Sequence, residues 1–144
     1  MATKLTANFT LEELCASTTA TERHIDNTPT ETVKANLKAL CENVLQPLRD
    51  AFGKSIVINS GYRCKRLNAA VGGSSTSQHM TGEAADIRCN NKATREWIFG
   101  YIRTHLKFDQ LILEHNSSGT YWVHVSYRNG RKNRMAVIAD MLKK

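Results

Sequence analysis

The sequence predicts an α+β fold in which a small central antiparallel sheet packs against helices. Three observations carry that reading. Within residues 30–52 the apolar side chains Val33, Leu37, Leu40, Val44, Leu48 and Phe52 recur every three or four positions, and Ala93, Trp97, Ile98, Tyr101, Ile102 and Leu106 form a second such face. This is the period of helices that bury one stripe. Segments 110–114 and 121–127 flank the turn-rich Asn116-Ser117-Ser118-Gly119 and predict an antiparallel hairpin. The β-branched run at 55–59 and the small-residue segment 84–88 predict further strands.

In chain order, Thr10-Leu11-Glu12-Glu13 is a capping box that starts a short helix reaching about Ala16. Residues 17–29 are polar and predict a loop, with His24 an ordinary surface histidine. The scaffold helix over 30–52 contains Pro47, which removes one intrahelical hydrogen bond and crowds the carbonyl four residues back. A kink near Asn43 or a break into two helices follows, and Gly53 ends the segment. The strand at 55–59 buries Ile56 and Ile58 and delivers Arg63, a short helix covers 65–70, and 74–81 lacks apolar periodicity and predicts a loop. Asn91 caps the second amphipathic helix, whose aromatics are assigned to the core, and His105 near its end faces the negative end of the dipole. The tail from Met135 to Ile138 is a possible final strand.

Chemistry concentrates in two stretches, Ser-Gln-His-Met-Thr-Gly-Glu-Ala-Ala-Asp at 77–86 and Trp-Val-His-Val-Ser at 122–126. A lone His79 is more often a hydrogen-bonded structural residue than a ligand. Together, His79, Asp86 and His124 supply two imidazoles and a carboxylate, a three-ligand set for Zn²⁺. Such a set leaves the fourth tetrahedral position to water, whose pKa falls to roughly 7 on the metal. Small residues at Gly82, Ala84 and Ala85 let the backbone crowd close to such a site. If Ile112 lies opposite His124, Glu114 pairs with Trp122 on the same sheet face, within reach of the metal centre but outside its ligand set.

The runs Ser60-Gly61-Tyr62-Arg63, Leu67-Asn68, Val71-Gly72-Gly73-Ser74, Ser77-Gln78-His79, Gly82, Ala84-Ala85-Asp86, Asp109-Gln110-Leu111-Ile112, Glu114 and Trp122-Val123-His124-Val125-Ser126 resemble the M15 family of zinc peptidases. The family comprises D-Ala-D-Ala carboxypeptidases and the L-alanyl-D-glutamate endopeptidases of phage lysins. The opening Asn8-Phe9-Thr10-Leu11-Glu12-Glu13-Leu14 is similar to the start of the compact phage-type members, so the likeness covers most of the chain. The resemblance implies a hedgehog/D-Ala-D-Ala peptidase-like fold whose sheet carries the zinc site, and hydrolysis of a peptidoglycan stem-peptide bond. It implies Glu114 as general base and Arg63 as the group that binds the substrate carboxylate or the developing oxyanion. Many relatives carry an acidic residue three positions before the second histidine ligand, where this chain has Tyr121. That departure leaves Tyr121, His115 and Glu83 as alternatives to Glu114. It also leaves a non-catalytic zinc-containing module that binds cell wall or protein as the alternative function.

With 144 residues the chain is expected to form a single zinc peptidase domain, 1–144. Its 41% hydrophobic and 23% charged residues are ordinary for a globular protein, and no run approaches the roughly 18 apolar residues of a membrane span. The net charge of +7 favours polyanions, but the basic cluster Arg128, Arg131, Lys132 and Arg134 lacks the interleaved aromatics of a single-strand platform. A cell wall bearing carboxylates explains the charge equally well, and the resemblance implies stem peptides as partners, not nucleic acid or membrane, met by a monomer. Cys15, Cys41, Cys64 and Cys89 lie about 25 residues apart with no CxxC pair and are read as reduced. The opening Met-Ala-Thr-Lys-Leu-Thr has no secretory apolar segment, so the expectation is cytoplasmic synthesis followed by action on the wall after release, as in a phage lysin.

Overall fold

The computed structural model describes residues 3–143. A small hairpin of β1 (Lys4–Thr6) and β2 (Phe9–Thr10) leads into α1 (Leu11–Cys15), whose first turn is capped by Thr10 Oγ1 accepting the Glu13 N–H at 3.1 Å. The expected loop at 17–29 instead contains α2 (Thr18–Glu22), where Ser17 Oγ caps the Ala20 N–H at 3.1 Å. A five-residue helix has too few positions to show a period, so this one was invisible to pattern.

The scaffold helix divides as Pro47 requires. The first piece, α3 (Glu31–Leu40), passes through a π-helical turn, Cys41–Leu45, into α4 (Gln46–Phe52), with Pro47 in the first turn of α4. The wider π turn accommodates the missing donor and the ring, and Asn43 Nδ2 donates to the Ala39 carbonyl at 2.8 Å across it. Val33, Leu37, Leu40, Val44, Leu45 and Leu48 are buried along one continuous stripe.

β3 (Ile58–Ser60) starts later than expected, with Ile56 buried ahead of it and Ile58 only partly covered. It is followed by α5 (Lys65–Ala70), β4 (Ala84–Arg88), α6 (Lys92–His105), β5 (Gln110–His115), β6 (Tyr121–Ser126) and β7 (Ala136–Leu142). Asn91 Oδ1 caps α6 by accepting the Thr94 N–H at 2.8 Å. The main sheet has the order β3-β4-β6-β5-β7. Its first four strands are antiparallel, as expected, but β7 runs parallel to β5. The sheet is therefore mixed, which corrects the all-antiparallel expectation.

One face of the sheet presents Ala85, Ile87, Leu111, Val123 and Val125, all fully buried in one core with the α3–α4 stripe and with Ile98 and Ile102 of α6. Among the aromatics of α6, Trp97 departs from the core expectation: it is 40% exposed, stacked on Tyr101 and tilted against Phe52, with centroids 5.1 Å away on each side. Tyr101 and Phe99 are partly buried against the core, as expected of aromatics there, and Ile98 and Ile102 fill its interior. All four cysteines are free, and burial pushes the Cys41 thiol up to about 12. No helix among the described residues is long and apolar enough to cross a membrane.

Candidate metal centre

The opposite face of the sheet carries the polar chemistry. Alternation along the strands turns Asp86, His124, Ile112 and Glu114 away from the core. The hairpin register has Ile112 opposite His124 and Glu114 opposite Trp122, the pairing considered from the sequence, and the structure adds Asp86 on the other side of His124. His79 reaches this face from a 3-10 turn, Gln78–Thr81, where Ser77 Oγ accepts the His79 N–H at 3.1 Å. The turn closes on Gly82, at φ 76°, and a Cβ there would lie 2.8 Å from the Val33 carbonyl of α3. Glycine thus lets the turn press onto the scaffold helix in a left-handed conformation.

His79 Nε2 lies 3.3 Å from Asp86 Oδ1, and His124 Nδ1 lies 2.9 Å from the same oxygen. One donor atom from each of the three residues falls within 4.8 Å of the other two. Ligands held at 2.0–2.1 Å around a tetrahedral zinc are about 3.3 Å apart, so the set is close to the geometry a zinc ion needs. The His79 tautomer fits as well. Its Nδ1 is 2.6 Å from the Gly61 carbonyl, which only accepts, so Nδ1 carries the proton and Nε2 is left with its lone pair facing Asp86. A Cβ at Gly61 would collide with the Leu14 carbonyl, so a glycine is what allows this carbonyl to sit under the imidazole. His79 is 2% and His124 9% exposed, while Asp86 keeps 15% of its side chain accessible. In the metal-free protein with both imidazoles protonated, burial raises the Asp86 carboxyl, but the His79 charge, hydrogen bonds from both rings and the His124 charge outweigh it and hold the group below the ordinary carboxylate range.

With this geometry in hand, comparison with known proteins is decisive at the family level: the family model for peptidase M15 matches residues 7–126. The chain belongs to the M15 peptidase family. A 44-residue stretch is also 50% identical to the zinc D-Ala-D-Ala carboxypeptidase of Streptomyces albus G, covering 30% of this chain and 17% of that protein's length.

Around the three converging donors of this M15 chain lies a cavity of about 870 Å³. Arg63 lines it, delivered by the segment after β3, with its backbone N–H donating to the His79 carbonyl at 3.0 Å. Its Nε is buried and has no hydrogen-bond partner among the described residues. Burial lowers the guanidinium's pKa, against the opposing charges of Asp86 and Glu114. Glu114 is 4% exposed; its Oε1 accepts the Trp122 indole N–H at 2.7 Å, and Lys143 Nζ lies 3.7 Å from its Oε2.

Of the alternatives to Glu114, two lie outside the cavity. Tyr121 and His115 alternate to the other face of the sheet, stacked 4.9 Å apart with Arg95 of α6 held 3.8 Å over the tyrosine ring. Glu83, on the sequence alone either an alternative base or an exposed strand residue, is 4% exposed at the cavity wall and bonded to Arg131 Nη2 at 2.7 Å. Sequence reasoning missed the Gly61 carbonyl, the Trp122–Glu114 bond and Lys143. The expected Glu114–Trp122 pairing was a usable signal for the second; the other two depend on long-range contacts with no local pattern.

Proposed function

We propose that this chain is a zinc-dependent peptidase that hydrolyses a stem-peptide bond of peptidoglycan, with His79, Asp86 and His124 as the metal ligands. The observation that carries the proposal is the convergence of those three donors at the floor of a cavity that also presents Arg63 and Glu114. Family membership and the partial likeness to a zinc D-Ala-D-Ala carboxypeptidase support the metal and the substrate class. When bound, zinc supplies Lewis acidity to the scissile carbonyl and acidifies water.

The side chains divide the remaining work. Glu114 accepts a proton at Oε2 and later returns it to the leaving amine, while Trp122 holds Oε1 and so fixes the carboxylate's orientation. Arg63, with hydrogen-bonding capacity uncommitted, binds the oxygen on which negative charge develops, or a carboxylate of the substrate. The cavity wall adds Arg128, Arg131, Arg134 and Lys143, so its rim attracts a peptide bearing carboxylates, as stem peptides do. The reading extends to lysin-like use, in which the protein meets the wall after release from the cell, and to either a D-Ala-D-Ala or an L-Ala-D-Glu bond.

Mass spectrometry of muropeptides incubated with the zinc-loaded protein tests the proposal. A free alanine lost from the C-terminus identifies a carboxypeptidase, and a new glutamyl amino terminus identifies an endopeptidase. Intact muropeptides after incubation with fully zinc-loaded protein would leave only a binding module.

A further inference from the structure

Two buried carboxylates take no part in the proposed reaction: Asp109, fully buried, and Glu83, 4% exposed. Each grips one end of the four-residue turn that carries His79. Gln78 Nε2 donates to Asp109 Oδ2 at 2.9 Å, and the Thr81 hydroxyl donates to Glu83 Oε1 at 2.6 Å. Each also takes an arginine from one and the same loop, residues 128–134. Arg134 donates to Asp109 through Nε at 2.9 Å, Nη2 at 2.7 Å and its backbone N–H at 3.0 Å, and Arg131 Nη2 donates to Glu83 Oε2 at 2.7 Å. The loop has its own staple: Asn133, 6% exposed, accepts the Arg128 N–H at Oδ1 over 2.8 Å. The family match ends at residue 126, before this loop begins.

We infer that loop 128–134 is a clamp on the metal-binding turn, and that Gln78, Thr81, Glu83, Asp109, Arg131 and Arg134 are positioning residues acting on His79. The inference rests on the reading of His79 as a metal ligand. A single 3-10 turn has few hydrogen bonds of its own and is among the first segments of a protein to open. Asp86 and His124 sit on paired strands and need no such help, whereas His79 must be brought to them from outside the sheet. Two ties at the two ends of the turn fix its position and its rotation together. Because both carboxylates are buried, releasing an arginine leaves a charge uncompensated, so the clamp resists opening.

The test is a double-mutant cycle. Zinc affinity is measured by competition with a chromophoric chelator for the wild type, Arg131→Gln/Arg134→Gln, Gln78→Met/Thr81→Val, and all four substitutions together. Amide hydrogen exchange over residues 79–82 is followed in the same proteins without metal. Each double variant is expected to bind zinc about tenfold more weakly, the lower end of losses from residues supporting metal ligands, and to exchange faster in the turn. The quadruple variant should be no weaker than Gln78→Met/Thr81→Val, because the arginines then have no grip on the turn to lose. A loop that merely stabilises the protein would give additive losses. Additivity, or unchanged exchange at 79–82 in the double variants, overturns the clamp. A wild-type protein that takes up no zinc overturns the metal assignment instead, and the exchange data still decide the clamp.

Discussion

Replacing Asp109 by asparagine removes one charge from a fully buried site while leaving the shape of the side chain nearly unchanged. Burial raises the Asp109 carboxyl, and the hydrogen bonds from Arg134 and Gln78 together with the Arg134 charge outweigh it, holding the group at about 2 against an ordinary value of 3.8. By linkage, that depression is worth about 2 kcal/mol of stability at neutral pH. The sign follows from the direction: the contribution is complete above the unfolded value and is lost as pH falls through the folded one, with about half gone by pH 3. Breaking a buried ion pair from one side typically costs about 3–5 kcal/mol, reduced here because Arg134 is half exposed and can rehydrate. Both routes converge on about 2–3 kcal/mol, or a melting temperature lower by about 10 °C for a chain of this size. Urea denaturation of wild type and Asp109→Asn at pH 7, 5 and 3 measures it. A variant as stable as the wild type at pH 7, or a gap that stays constant down to pH 3, would refute the assignment of Asp109 as a charged anchor.

Other outcomes follow from the same contacts. Glu114→Gln keeps its zinc and loses about 10²–10⁴-fold in turnover, read by metal analysis alongside muropeptide digestion; unchanged turnover removes Glu114 from the reaction. Trp122→Phe deletes the donor to Glu114 Oε1 and keeps the ring, so kcat falls while zinc content and KM hold; equal loss in all three would mean the indole only packs. Gly82→Ala strains a left-handed backbone position and pushes against the Val33 carbonyl, lowering stability by about 1–3 kcal/mol in thermal melts and weakening zinc binding. Leu37→Ala, in the middle of the buried stripe, costs about 2–5 kcal/mol by urea denaturation without changing zinc affinity per folded molecule.

The parts of the fold legible in the sequence were those written in local periodicity. The stripe from Val33 to Phe52 marked the scaffold helix, Pro47 marked its interruption, and with Ile112 set opposite His124 the alternation of the hairpin put Glu114 opposite Trp122. What escaped was set by contacts between distant residues. β7 has mostly exposed positions, so its side chains carry no alternation, and its parallel pairing with β5 depends on backbone hydrogen bonds that any residues could make. Glu83 reads as a surface residue because carboxylates seldom bury without a partner, and its partner, Arg131, is 48 residues away. Trp97 reads as core because it shares a helical face with Ile98 and Ile102, yet the core is filled by the shorter side chains and the indole stacks outside it. The candidate site shows the same division: His79, Asp86 and His124 could be singled out by residue type and motif and do converge in the structure, whereas the Gly61 carbonyl beneath His79 and the arginine loop behind the turn had no such signal.

X-ray absorption at the zinc edge of the metal-loaded protein tests the central claim most directly. One zinc per chain, surrounded by two imidazole nitrogens, a carboxylate oxygen and one light-atom ligand from outside the protein at about 2.0–2.1 Å, is the predicted result, with one imidazole lost in His79→Ala. A sulfur neighbour near 2.3 Å, or a fourth protein ligand closing the coordination sphere, would contradict it.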